Sequence, residues 1–400
     1  MPVSNVKIFA VAAAVICILA FGLMLYKSGG AAINWQTGGG DPVLQFYPFN
    51  GSIYAICVTN LTYIGPDGHA AWSVPFPNIV FSTQGDDGDL YVYSTERGLN
   101  RVTPDGLIIS LTRQGINRQP LIGDNGTVYL RSWSLMMAVD RHGNQLWNAT
   151  NAISDPVLDR DGNAYFFVRP PESLSDIYLR CVAPNGTALW SKIFDKYYSG
   201  IGLKPTMSGG IFISDEVAGD ISRIDSQGNV TWDYYKPYLG QYQLAEDEHA
   251  RLYLFFSSGT VHVLNERGEI MDKFNVDPAA NGTAMPVVYN NTVYIAGPGP
   301  TSDTDYIYAL GADGSTLWKQ QVNSTGTATL YPGDGILCVA TDIPNGDQKT
   351  PVLYVLDSSR GDVKYVYDSG DGREWSQVYV NRDGSILART DGGMLYALKG

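Results

Sequence analysis

Asp140-Arg-His-Gly-Asn-Gln-Leu-Trp147 decides the fold, because the same grammar returns along the chain. Asp225-Ser-Gln-Gly-Asn-Val-Thr-Trp232 repeats it almost position for position. Further copies end in Gly68-His-Ala-Ala-Trp72, Gly186-Thr-Ala-Leu-Trp190 and Gly314-Ser-Thr-Leu-Trp318, and degenerate ones in Gly106-Leu-Ile-Ile-Ser110, Gly268-Glu-Ile-Met-Asp272 and Gly361-Asp-Val-Lys-Tyr365. The closing positions lie 37 to 47 residues apart. Between them comes a strand of the form Gly-x-x-Tyr, as in Gly51-Ser-Ile-Tyr54, Gly88-Asp-Leu-Tyr91, Gly126-Thr-Val-Tyr129 and Gly162-Asn-Ala-Tyr165. Short β-rich runs separated by Asp-Gly and Asn-Gly turns are hairpins.

A period near 40 with four strands per unit is that of an all-β propeller, whose blades stack because a lone blade leaves both faces apolar. Nine units can be counted. The last, Asn381-Arg-Asp-Gly-Ser-Ile-Leu387 through Leu398, lacks its Trp strand, and Ala31-Ala-Ile-Asn-Trp35 has the missing form. Residues near 31–37 are therefore expected to pair with 381–398 and close a single propeller over 33–400. Trp35, Trp72, Trp147, Trp190, Trp232 and Trp318 are the expected blade-docking residues, and docking is expected to account for the tryptophans.

Composition agrees with this reading. Of 400 residues only 17% are charged, while Gly (44), Tyr (26) and Pro (21) are plentiful, which suits short strands and many turns. The formal net charge of −13 argues against a nucleic-acid partner. Much of it is aspartate at hairpin turns, including Asp86-Asp87-Gly88-Asp89 and Glu246-Asp247-Glu248.

Ahead of the repeats, residues 8–26 form nineteen uncharged residues between Lys7 and Lys27. As a helix they would run about 28 Å, close to a bilayer's hydrocarbon core. The expectation is a cytoplasmic tip (1–7), a single-pass signal anchor (8–26), a linker (27–32) and a propeller on the extracytoplasmic side of a cell membrane. Secretion after signal cleavage is the alternative. Sequons at Asn50, Asn60, Asn125, Asn148, Asn185, Asn229, Asn281, Asn290 and Asn323 are compatible with glycosylation outside the cell and equally with hairpin-turn chemistry. Cys57, Cys181 and Cys338 sit in separate apolar strands, as buried thiols do.

Signals for chemistry are sparse. Asp159, Asp161 and Asn163 resemble the front of a Ca²⁺ loop, but Pro170 stands where the closing Glu belongs. His69, His142, His249 and His262 lack metal-ligand spacing, and no GxSxG, P-loop or dinucleotide motif occurs. No catalytic residue, cofactor or metal is assigned.

The Asp-x-x-Gly-x-x-x-Trp closure resembles the docking motif of the pyrroloquinoline-quinone (PQQ)-like repeat propellers. That superfamily includes quinoprotein alcohol dehydrogenases and non-enzymatic BamB-like propellers, most of them eight-bladed. The resemblance implies a propeller in which each Trp stacks on its neighbour. It further implies a binding or scaffold module for cell-envelope or secreted proteins, with a protein partner met at the rim. The alternative is an extracytoplasmic enzyme, either a dehydrogenase holding PQQ with Ca²⁺ or a propeller glycosidase or lyase. No Cys-Cys pair of the dehydrogenases is present. Inserts at 169–176, 297–305 and 342–349 follow the Gly-x-x-Tyr strands, so they should share one face.

Overall fold

The structure, a computed structural model, describes residues 33–38, 40–172, 176–194, 201–206, 208–215, 220–235, 242–256, 259–275, 286–346 and 348–400. The proposed tip, anchor helix and linker, together with Asn281, lie outside the described residues. Among those described, no helix is long and apolar enough to cross a membrane.

Among the described residues, thirty-six strands form nine antiparallel four-stranded sheets. In chain order the blades are 43–75, 79–112, 121–149, 157–193, 201–235, 242–275, 287–323, 329–368 and a ninth of mixed origin. That ninth blade takes three strands from 375–398 and its outer strand from Ile33–Thr37, which lies antiparallel to Leu395–Leu398 with Trp35 opposite Ala397. Nine hydrophobic clusters lie between the blades, each drawn from two neighbours. The one holding Val43, Phe46 and Ile53 of blade 1 with Leu387, Leu395 and Ala397 of blade 9 shuts the ring. Nine interfaces for nine blades decide between the nine units read from the repeat and the eight of most relatives.

The recurring motif explains itself locally. Asp140 accepts from the backbone N–H of His142 (2.8 Å) and Asn144 (2.9 Å), while Gly143 turns the chain at φ +88°. A side chain there meets steric cost that glycine avoids. Immediately afterwards the outer strand bulges: Ala138 faces Trp147 and Val139 faces Gln145, leaving Leu146 unpaired. Equivalent shifts precede Trp72, Trp190, Trp232, Trp318 and Trp35. A bulge re-aims the side chain that follows it, here the indole toward the next blade. It also explains why Leu146, Leu189 and Leu317, the bulged residues, are exposed.

Candidate functional site

Antiparallel blades give the ring two unlike faces. Turns joining the first to the second strand and the third to the fourth lie on one, the docking face. Hairpins joining the second and third strands, and the connectors between blades, lie on the other. The chain enters at the docking face, since Ile33 sits opposite Leu398 at the end of a third strand.

Six indoles knit the docking side. Each Nε1–H donates to a turn carbonyl of the next blade: Trp35 to Pro66 (3.1 Å), Trp72 to Pro104 (2.9 Å) and Trp147 to Pro184 (3.2 Å). Likewise Trp190 reaches Ser226 (2.8 Å), Trp232 reaches Glu266 (2.9 Å) and Trp318 reaches Ser358 (2.8 Å). The ring of each packs on the glycine of that turn, so a Cβ at Gly68 would lie 2.5 Å from Trp35 and one at Gly186 2.8 Å from Trp147. From behind, the Gly-x-x-Tyr residue supports it, as Tyr165 does Trp190 at 5.7 Å between ring centres. Two degenerate units improvise. In blade 6 Phe274 packs on Gly314, two residues beyond Asp272, and in blade 2 the bulge moves to Leu111, whose backbone meets Gly143.

The expectation that docking accounts for the tryptophans needs correction at two positions. Trp375 is buried at the start of an inner strand, against Tyr396. Trp133 is 79% exposed. It tips the hairpin between Val128–Ser132 and Leu135–Val139 on the connector face, at φ +52°. Nothing in a repeat search marks such a residue; only a tryptophan outside the Gly-x-x-x-Trp frame could have signalled it.

The acidic turns are internally occupied. Asp159 accepts from the N–H of Asp161 (3.0 Å) and Asn163 (2.9 Å), from Asn163 Nδ2 (3.0 Å) and from Tyr165 O–H (2.8 Å). Asp247 does the same for His249, Arg251 and Tyr253. Buried Asp89 pairs with Arg101, yet burial outweighs the guanidinium and holds its carboxyl above the ordinary range. Among the described residues no three His, Cys, Asp or Glu side chains are placed to hold a metal ion. A quinone cofactor with Ca²⁺ needs converging carboxylates, and the aspartates named above, among the described residues, each hold their own turn or an arginine instead.

His262 is buried against Tyr234, whose O–H shares a short hydrogen bond with its Nδ1. His249 lies in an open cleft of about 510 Å³ on the docking face, where its Nδ1 and the Arg251 guanidinium converge on Asn291 Oδ1 at 2.9 and 2.6 Å. Cys57, Cys181 and Cys338 are buried free thiols; burial pushes the last two up to about 12. Of the sequons, Asn50, Asn125, Asn148, Asn185, Asn229, Asn290 and Asn323 are exposed, whereas Asn60 is half-buried with its amide donating to Asp41 at 2.8 Å.

The three inserts, in their described residues, lie on the connector face. Two of them build structure there: Thr292–Pro298 pairs with Thr304–Leu310, and Ile336–Asn345 pairs with Gln348–Asp357 over ten residues each. The second hairpin ends in an exposed tip at Pro344, Asn345 and Gly346. Its two long strands convert the insert 342–349 from a loop into a projecting β-arm.

The family model described as outer membrane protein assembly factor BamB matches residues 257–399, blades 7 to 9 and the later part of blade 6. The chain resembles the BamB-like propellers. Among solved structures, a eukaryotic initiation factor is 12% identical, with 82% of this chain and 88% of that one covered and a TM-score of 0.60. BamB from Moraxella catarrhalis is 13% identical over 92% of this chain and 100% of its own, at 0.49. Quinohemoprotein alcohol dehydrogenase from Comamonas testosteroni is 11% identical over 92% and 76%, at 0.45. At 12% identity the first of these likenesses shows a shared fold and nothing of activity. Comparison with curated proteins finds no match.

Proposed function

We propose that this propeller is a non-catalytic binding module for cell-envelope or secreted proteins, held at a membrane by residues 8–26 with the ring on the extracytoplasmic side. The observation that carries the reading is the β-arm of blade 8, whose exposed tip stands on the face opposite the one where the chain enters. Binding functions concentrate on loops carried by a rigid scaffold. On the docking face the Trp–turn contacts join neighbouring blades, and aspartates such as Asp159 and Asp247 hold their own turns. The resemblance to BamB-like propellers supports the same reading.

The test places a photo-crosslinking amino acid at Asn345, on the arm, and in a second variant at Asp313, on the docking face. Cells expressing the Asn345 variant should give one discrete protein adduct that the Asp313 variant lacks. Adducts of equal yield from both positions, or none from Asn345, would remove the reading. In parallel, the purified ring with PQQ and Ca²⁺ should show neither a bound chromophore nor dye-linked alcohol oxidation; either signal establishes the enzymatic alternative.

A further inference from the structure

Trp133 occupies a backbone position that tryptophan ordinarily avoids. Ser132 faces Leu135, so the hairpin turns in two residues, Trp133 and Ser134. The first of these has φ +52°, in the left-handed region that glycine or asparagine fills at low cost and bulky residues do not. A strained non-glycine residue persists where its surroundings hold it, and such strain gathers at functional positions. Here both backbone polar groups are held: Trp133 N–H donates to Asn117 Oδ1 at 3.0 Å, and its carbonyl accepts from Arg131 Nε at 3.2 Å. The indole is thus presented to solvent on a fixed stem.

The surroundings say what kind of ligand suits it. Arg131 Nη1 donates to Asp155 at 2.6 Å, and Arg118 Nε lies 3.3 Å from the other oxygen of the same carboxylate. Each guanidinium carries five N–H donors, so the pairing with Asp155 leaves both with donors to spare. In the connector-face segments of blade 3 (113–120, 131–135 and 150–156), Trp133 is the one large exposed hydrophobic residue. Protein-binding hot spots set an aromatic anchor inside a patch that excludes water. An isolated indole on a hairpin whose stem carries Asn117 and the Arg131–Asp155–Arg118 group matches instead a ligand with one apolar face and a hydrogen-bonding rim. Those segments hold Arg113, Arg118 and Arg131 against Asp155 alone, a positive island on a chain of net charge −13.

We infer that Trp133 is the stacking platform of a saccharide site, which takes an acidic polysaccharide with a sugar-ring face on the indole and carboxylates toward Arg118. The site stands apart from the β-arm of blade 8 and does not depend on the protein-binding reading.

The test uses the full-length chain in mild detergent with three probes: polygalacturonate, alginate and uncharged dextran. Trp133 is the exposed tryptophan, the other seven being buried or half-buried, so its emission can be followed by acrylamide quenching. Polygalacturonate or alginate should blue-shift the emission and protect it from quenching, with dextran silent. Trp133→Gly should abolish that response and weaken retention on immobilised polyuronate by about tenfold, as expected for loss of a stacking aromatic. Its melting temperature should hold or rise, because glycine relieves the strain. Arg118→Gln should weaken retention and flatten its salt dependence while leaving the melting temperature unchanged. Unaltered retention in Trp133→Gly, an equal response to dextran, or no response to either polyuronate overturns the inference. A photo-crosslinker at position 133 that captures a protein in cells, with the polyuronates silent, likewise overturns it in favour of a protein ligand.

Discussion

Trp147→Ala tests the docking logic at its best-defined joint. The indole is 8% exposed, lies 6.3 Å from the Phe166 ring at 10° and meets Tyr129 edge-on at 6.0 Å. Its N–H bonds Pro184 O, and its ring covers Gly186 of blade 4. Truncation removes all of these and leaves a cavity between two blades, which for a buried Trp costs about 3–5 kcal/mol. A ring of roughly 370 residues unfolding as one unit has an entropy of about 0.8 kcal/mol per kelvin, from about 2.1 cal/mol/K per residue, so 4 kcal/mol lowers the Tm by about 5 °C. Trp133→Ala, with the same side chain lost from an exposed hairpin tip, should move the Tm by less than about 1 °C. Differential scanning calorimetry on the two variants and the parent decides it. The docking account fails if Trp147→Ala shifts the Tm by less than about 1 °C, or if both variants shift alike.

Three further outcomes follow from the same geometry. Trp35→Asp should loosen the closing strand, whose indole bonds Pro66 O, and expose the edge of blade 9; light scattering should then show association where the parent is monodisperse, and unchanged behaviour would sever the closure from Trp35. The carboxyls of Asp140, Asp313, Asp357 and Asp383 are held below the ordinary range, chiefly by side-chain hydrogen bonds from Asn144, Ser315, Ser359 and Ser385. A carboxyl with a lowered folded pKa contributes stability that is present above its unfolded value, near 3.8, and lost as pH falls through the folded one. The Tm should therefore drop steeply below about pH 4, and Asp140→Asn should blunt the slope; a slope no shallower than the parent's refutes that share. Cys57, Cys181 and Cys338 should resist a thiol reagent at pH 8 in the native ring and react after unfolding, because burial raises all three thiols. Labelling of any of them without unfolding contradicts this.

What could be read in advance was whatever is local in the chain. Asp140, Gly143 and Trp147 fall within eight residues, and turn, bulge and docking ring follow from that one stretch. The closing strand could be inferred because Trp35 carries the outer-strand form and the last unit lacks it. By contrast, Phe274 replacing an indole two residues late, and Leu111 carrying a shifted bulge, depend on how neighbouring blades settle; the sequence offers only Asp272 and Ser110 in the Trp slot. Trp133 escaped for a related reason. A repeat search assigns tryptophans to the pattern, and a single residue at φ +52° between ordinary strands leaves no period. The connector face is the least legible part. Its inserts vary from blade to blade, and only the pairing of Ile336–Asn345 with Gln348–Asp357 reveals that one of them is a β-arm.

The direction of the chain makes one last claim testable. Ile33 begins its strand on the docking face, so residues 27–32, if they follow a membrane span, tether that face. Six extended residues reach at most about 20 Å, less than would let a ring of this size turn over. The docking face would then look toward the bilayer, with the β-arm and Trp133 pointing away. Single cysteines at Asn345 and Asp313, labelled on intact cells with a bulky membrane-impermeant maleimide, measure this directly. Asn345 should react several-fold faster than Asp313, with equal rates in detergent, where the bilayer no longer shields one side. Equal rates on cells would mean that the segment ahead of Ile33 does not hold the ring against a membrane. Faster labelling at Asp313 would mean that the arm faces inward, which would also remove the ground for placing a partner there.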